Sequence, residues 1–297
     1  MGARPGVHVV AVTPFLPDES LDLASLVTLL EFCHDAGAQG ILILGVMGEA
    51  DRLADVERVR VIDTVVTANE RRLQVTVGVT AGSSVVARQR AEEARRRGAD
   101  MVMISPPPGS RPGPALRKHF QRVGDDLGIP LVIQDHPASS AVQMPVEFIA
   151  DLLSVLPGAS VKLEDPPTPP KMARLRALAP DVPIFGGLGG VSLLGELAAG
   201  ANGVMTGFGF PETLVAIVHA YQTGDQTAAR RTFRDALPMM LFESQPGIAT
   251  GVRKEILRRR GAIAHATVRQ PAPTLDASTL IELEVMMESR REAGMTV

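Results

Sequence analysis

The chain has 297 residues, 45% of them hydrophobic and 21% charged, so it can bury a sizeable core without disulfides or structural metal. A formal charge of −3 leaves no basic footprint for nucleic acid, and a single cysteine, Cys33, excludes an internal disulfide and any cysteine-based metal cluster. Met1-Gly2-Ala3-Arg4-Pro5 is not an apolar signal core and no apolar run approaches the ~18 residues of a membrane span, which predicts a cytoplasmic protein.

Short β-branched runs alternate with amphipathic helical stretches up to about residue 222, the signature of repeated βα units and a parallel sheet. The predicted strands, in chain order, are 7–13, 40–44, 73–79, 101–105, 131–134, 160–163, 183–185 and 203–206. After the first, Leu23, Leu26, Val27 and Leu30 recur at helical spacing, and a helix over 24–36 stops at Gly37. Cys33, set among Leu29, Leu30 and Phe32, reads as a buried thiol rather than a nucleophile. The helix after the third strand stops the same way, at Arg95-Arg96-Arg97-Gly98. That arginine run and Arg258-Arg259-Arg260 read as solvated ends complementing helix dipoles.

Eight parallel units of this length favour closure into a (β/α)8 TIM barrel over an open doubly wound sheet. An open sheet of that kind would want a Gly-rich dinucleotide turn after its first strand, where this chain has Thr13-Pro14-Phe15. The rest reads as three helices with breaks near Gln245-Pro246-Gly247 and Pro271-Ala272-Pro273. The predicted organisation is therefore a barrel over residues 1–224 and a helical extension of the same domain over 225–297.

Barrel enzymes carry their chemistry at the C-terminal ends of the strands. There the sixth strand runs Val161-Lys162-Leu163-Glu164-Asp165. A lysine inside a short strand is costly unless paired or deprotonated, and a deprotonated amine is what Schiff-base chemistry needs. The alternative is a strand that ends one residue early, with Lys162 paired to a surface carboxylate. The fifth strand ends Ile133-Gln134-Asp135-His136-Pro137, and alternation puts Gln134 and His136 on one face, with Asp135 on the other as a loop anchor. The same parity sets Glu164 beside Lys162, giving a candidate cluster of amine, carboxylate and imidazole. Glu49 either binds substrate or anchors a loop to a helix. Gly186-Gly187-Leu188-Gly189-Gly190 and Gly207-Phe208-Gly209 either cradle a phosphate or let backbone approach the substrate.

The ordered set Thr13-Pro14-Phe15, Gly45-Val46-Met47-Gly48-Glu49-Ala50 with Leu53 and Glu57-Arg58, Pro137 after strand five and Lys162 on strand six resembles one family over nearly the whole chain. That family is the dihydrodipicolinate synthase and N-acetylneuraminate lyase family of class I aldolases. The resemblance implies an imine-forming Lys162, substrate contacts from Val46, Met47, Gly48, Glu49, Gly186 and Gly187, and a homo-oligomer, tetramer or dimer. It departs from the family pattern where the paired threonines become Val46 and Met47, and where the strand-five tyrosine becomes Gln134, which does not titrate. The arginine that holds a carboxylate in synthases falls on Ser139, and the tyrosine of the loop after strand four falls within Ser105-Pro106-Pro107-Pro108. The one tyrosine, Tyr221, lies in a late helix.

The sequence thus predicts a Schiff-base aldolase or lyase acting on a small 2-oxo acid or aldehyde, not a true dihydrodipicolinate synthase. Lys162 is the predicted nucleophile, Gln134, His136 and Glu164 complete the catalytic set, and no metal or organic cofactor is called for. A dehydratase using the same imine and a catalytically inactive metabolite-binding barrel are the alternatives. Loss of hydroxyls at Val46 and Met47 predicts a less polar pocket than the family's.

Overall fold

In a computed structural model describing residues 2–297, eight parallel strands close into one barrel in sequence order. They are β1 (Gly6–Val10), β2 (Gly40–Ile43), β3 (Gln74–Gly78), β4 (Met101–Ile104), β5 (Leu131–Asp135), β6 (Ser160–Leu163), β7 (Ile184–Gly186) and β8 (Gly203–Thr206). The surrounding helices are α1 (Leu23–Asp35), α2 (Asp55–Asn69), α3 (Ser84–Arg96), α4 (Pro114–Gly124), α5 (Pro137–Ser140), α6 (Val146–Val155), α7 (Thr168–Leu178), α8 (Leu193–Ala198) and α9 (Pro211–Gln222). Three more follow, α10 (Gln226–Glu243), α11 (Ala249–Arg259) and α12 (Ala277–Glu292), separated at the predicted breaks.

Every strand residue is buried, because one face meets the helices and the other meets the barrel interior. Alternation therefore sorts side chains between two cores. Val10, Leu42, Met103, Val132, Phe185 and Met205 point inward, and Lys162 pairs in register with Gln134 on one side and inward-facing Phe185 on the other. His8 fills the interior at a lower level, with Nδ1 only 2.2 Å from where a Cβ on Gly40 would stand, so Gly40 supplies the space that the imidazole occupies.

Helix ends follow local chemistry. Asp22 caps α1 through Ser25 N at 2.9 Å, and Gly37, at φ +81°, turns the chain out of it. The first strand ends at Val10, not residue 13, because Thr13 is drawn to the neighbouring loop by a 2.6 Å bond from its hydroxyl to Gly48 O.

The C-terminal helices are fastened by buried charge. Lys254 on α11 is fully buried, donates to Glu49 Oε1 at 2.6 Å and to Thr267 O at 2.7 Å, and stands 4.2 Å from the Phe15 ring centre. Arg269 pairs with Glu57 at 2.8 Å, and its amide donates to the other oxygen of Glu49 at 2.9 Å. The reading of Arg258-Arg259-Arg260 as a solvated end fails at Arg260. Its guanidinium lies between the rings of Phe32 and Phe210, at 4.7 and 4.6 Å, and pairs with Glu212 at 3.0 Å. Cys33 is buried with its thiol pushed up to about 12 by burial, which makes it inert at neutral pH.

Candidate active site

Parity carries Lys162 into the barrel at its C-terminal mouth, where it is 4% exposed. Its Nζ stands 3.0 Å from Glu164 Oε2, and that oxygen also accepts from Gln134 Nε2 at 2.8 Å. Gln134 Oε1 in turn accepts from the Ser105 hydroxyl at 2.7 Å. The second oxygen of Glu164 accepts from Leu188 N at 3.3 Å. A chain of buried groups from β4, β5, β6 and the loop after β7 therefore converges on one amine.

Burial opposes ionisation of Glu164, but Lys162 first, then His136 and Gln134, more than offset it and hold the carboxyl below the usual glutamate range. His136 is half-buried on the same cavity, and its Nδ1 lies 2.8 Å from the Ser139 hydroxyl. Burial pushes its imidazole below 6.5, opposed by Glu164 and reinforced by Lys162, so at neutral pH it is a neutral acceptor or donor.

These groups open into a cavity of about 710 Å³ at the barrel mouth. Val46 and Met47 line it, as expected. The N–H groups of both donate to no partner among the described residues. Gly48 lies behind the wall, where a Cβ would meet Ala11 O and Thr13 Oγ1 at 3.4 Å. Glu49 turns from the cavity to the Lys254 and Arg269 anchor, which is the loop-fastening alternative.

Gly186 and Gly187 are not among the residues lining this cavity; they make room for carboxylates. A Cβ on Gly187 would sit 2.3 Å from Glu164 Oε1, and one on Gly186 would sit 1.7 Å from Glu196 Oε2. Glu196 is fully buried, bonded to the Thr168 hydroxyl at 2.6 Å, and pushed up to about 7 by burial. The space beside these two glycines is thus filled by Glu164 and Glu196 and is not an open anion cradle.

The expectation of a less polar pocket holds only in part. Val10, Val46, Met47 and Met103 are apolar lining, but Thr206, Ser244, Gln245, Thr250 and Arg253 line the same cavity, with the Thr250 hydroxyl 3.8 Å from Met47 Sδ. Sequence reasoning missed Ser105, Thr206 and Arg253. The inward parity of Met101 and Met103 on strand four would have found Ser105, whereas Thr206 follows inward-facing Met205 and alternation would have sent it outward. Arg253 sits in a helical run of mixed charge, Arg253-Lys254-Glu255, that looks like a solvated face.

No helix among the described residues is long and apolar enough to cross a membrane. Among the same residues no group of three or more His, Cys, Asp or Glu is placed to hold a metal ion.

Comparison with known proteins agrees with this fold. The chain is 33% identical over 292 residues to L-2-keto-3-deoxyarabonate dehydratase of Azospirillum brasilense, covering 94% of this chain and 92% of that one. It is 28% identical over 299 residues to 4-hydroxy-tetrahydrodipicolinate synthase of Xanthomonas campestris pv. campestris, covering 95% and 96%. A crystal structure of dihydrodipicolinate synthase from Rhodopseudomonas palustris superposes with a TM-score of 0.92 at 30% identity, over 97% of this chain and 99% of that one. The model of the dihydrodipicolinate synthetase family matches residues 4–290, and with that span the chain belongs to this family of lyases.

Proposed function

We propose that the chain is a Schiff-base dehydratase of a small 3-deoxy-2-oxo acid, with Lys162 as the nucleophile. The observation that carries the reading is the Lys162 amine held inside the barrel mouth, 3.0 Å from the Glu164 carboxylate. Glu164 accepts a proton from the ammonium, and the free amine attacks the C2 carbonyl. Loss of water from the carbinolamine gives a protonated imine, which draws electrons from C3. Removal of a C3 proton then forms the enamine, and expulsion of the C4 hydroxyl, protonated as it leaves, forms the C3–C4 double bond. Water finally hydrolyses the imine and frees Lys162.

Glu164 and His136 are the two groups on the cavity able to move these protons, since Gln134 holds Glu164 in place and does not titrate. The unpartnered N–H groups of Val46 and Met47 are assigned to the C1 carboxylate. Dehydration is preferred to aldol cleavage because the 33% identical relative is named as a dehydratase. True dihydrodipicolinate synthesis is disfavoured by the absence of a tyrosine at Gln134 and of an arginine at Ser139. A homo-oligomer, dimer or tetramer, and a cytoplasmic location belong to the same reading; light scattering on purified protein tests the first.

Incubation with L-2-keto-3-deoxyarabonate tests the reaction class. Dehydration gives a product lighter by one water and no pyruvate. Release of pyruvate would place the reaction with aldol cleavage instead.

A further inference from the structure

The cavity holds one cation whose donors are largely unused. Arg253 on α11 is 4% exposed and forms part of the wall. Its Nε donates to Glu243, a carboxylate that also accepts from Gly209 N at 2.7 Å. Its two terminal nitrogens have no hydrogen-bond partner among the described residues. They lie against the end of β8, where a Cβ on Gly207 would stand 2.3 Å from Nη1, so the glycine is what lets the guanidinium lie there. A buried guanidinium with idle donors is costly, and the cost is relieved when an acceptor fills the fork.

The surrounding charge favours an anion. Arg253 pairs with Glu243 and Arg260 with Glu212, while Arg290, stacked 3.7 Å from the Phe210 ring centre, has no carboxylate partner. Around and behind Phe210 three guanidinium groups thus stand against two carboxylates, while Glu164, on the cavity itself, is paired with Lys162. A carboxylate matches the free fork in shape and charge. A phosphate carries about −1.5 to −2 at neutral pH and three acceptor oxygens. Apart from half-buried His136, the only cationic side chains on this cavity are Lys162 and Arg253, and the first is committed to the carbonyl carbon. Arg253 reaches the cavity beside Gly207 at the end of β8, two strands round the barrel from Lys162 on β6.

We propose that Arg253 is a specificity-determining residue that receives a second, distal carboxylate, so that the preferred ligands are 2-oxo acids with a carboxylate at both ends. This rests on the Schiff-base reading. The test is borohydride capture on wild-type protein, titrating 2-oxoadipate against 2-oxohexanoate, with 2-keto-3-deoxy-6-phosphogluconate as a phosphate-ended arm. Half-maximal capture of 2-oxoadipate is expected at a concentration about tenfold or more below that of 2-oxohexanoate. In Arg253→Gln that preference is expected to collapse, the dicarboxylate losing about tenfold more than the monocarboxylate. Equal capture of the two acids by wild type, or a preference that survives in Arg253→Gln, overturns the proposal. Tightest capture of the phosphate-ended acid overturns the carboxylate assignment.

The wild-type comparison needs no variant to fold. Calorimetry on Lys162→Ala with 2-hydroxyadipate and 2-hydroxyhexanoate separates this proposal from the imine. Tighter binding of the dicarboxylate there supports the Arg253 subsite even if no adduct forms, and equal binding removes it.

Discussion

Replacing Glu164 with glutamine keeps its volume and removes its charge. In the wild-type cluster Oε2 lies 3.0 Å from Lys162 Nζ and 2.8 Å from Gln134 Nε2, with both Lys162 and Glu164 at most 5% exposed. At that distance and an effective dielectric near 20 the attraction is about 5 kcal/mol, much of it offset by the desolvation of two charges. Removing one partner is the harsher change, because it leaves a buried ammonium unpaired, at a cost of about 3–5 kcal/mol. The amide also sets its own N–H groups against either Gln134 Nε2 or Leu188 N, both donors. Calorimetric melting should therefore drop by roughly 6–12 °C. Dehydration should slow by about 10²- to 10⁴-fold through loss of the proton acceptor. Borohydride capture of a 2-oxo acid should persist, since Lys162 is still in place. A variant that melts with wild type and turns over within tenfold of it would refute the assignment of Glu164.

Three further outcomes follow from the same structure. Glu49→Gln unpairs fully buried Lys254, so urea denaturation should show a loss of about 3 kcal/mol, whereas the concentration for half-maximal imine capture stays unchanged; a shift in capture instead would return Glu49 to the substrate. His136→Asn should erase the acid limb of the kcat/KM profile, which in wild type lies below pH 6.5 because burial lowers the imidazole; a limb that survives in the variant assigns it elsewhere. His8 is lowered from 6.5 to about 4 by burial, so the unfolded chain binds its proton more readily and stability present above pH 6.5 is lost as pH falls towards 4. That amounts to about 3 kcal/mol, and an acid melting series on His8→Gln lacking the same difference from wild type would confirm the source.

The strands were legible because burial on both faces of a barrel demands β-branched runs; alternation grouped Gln134 with His136 and Lys162 with Glu164, but which face was inner came from the closed barrel. Glu164 and His136 lie just past the strand ends, yet the same parity still brought them to the cavity. Other features depended on partners distant in sequence. Glu49 is turned away by Lys254, 205 residues on, and no local pattern signals that pairing. Gly186 and Gly187 left a phosphate cradle and close backbone approach to the substrate both open, until Glu196 and Glu164 are seen occupying the space a side chain would fill. Arg260 looked solvated because its aromatic neighbours, Phe32 and Phe210, belong to other elements. Arg253 reaches the cavity only because Gly207 lacks a Cβ.

The account stands on Lys162 as an imine-forming amine. Intact-protein mass spectrometry after borohydride reduction, with a panel of 2-oxo acids and aldehydes, tests it most directly on wild type and Lys162→Ala. The expected result is a mass increase in wild type equal to the ligand less one oxygen, water being lost and two hydrogens gained, and no increase in the variant. An adduct that persists in Lys162→Ala, or turnover of a substrate by that variant at the wild-type rate, would contradict it.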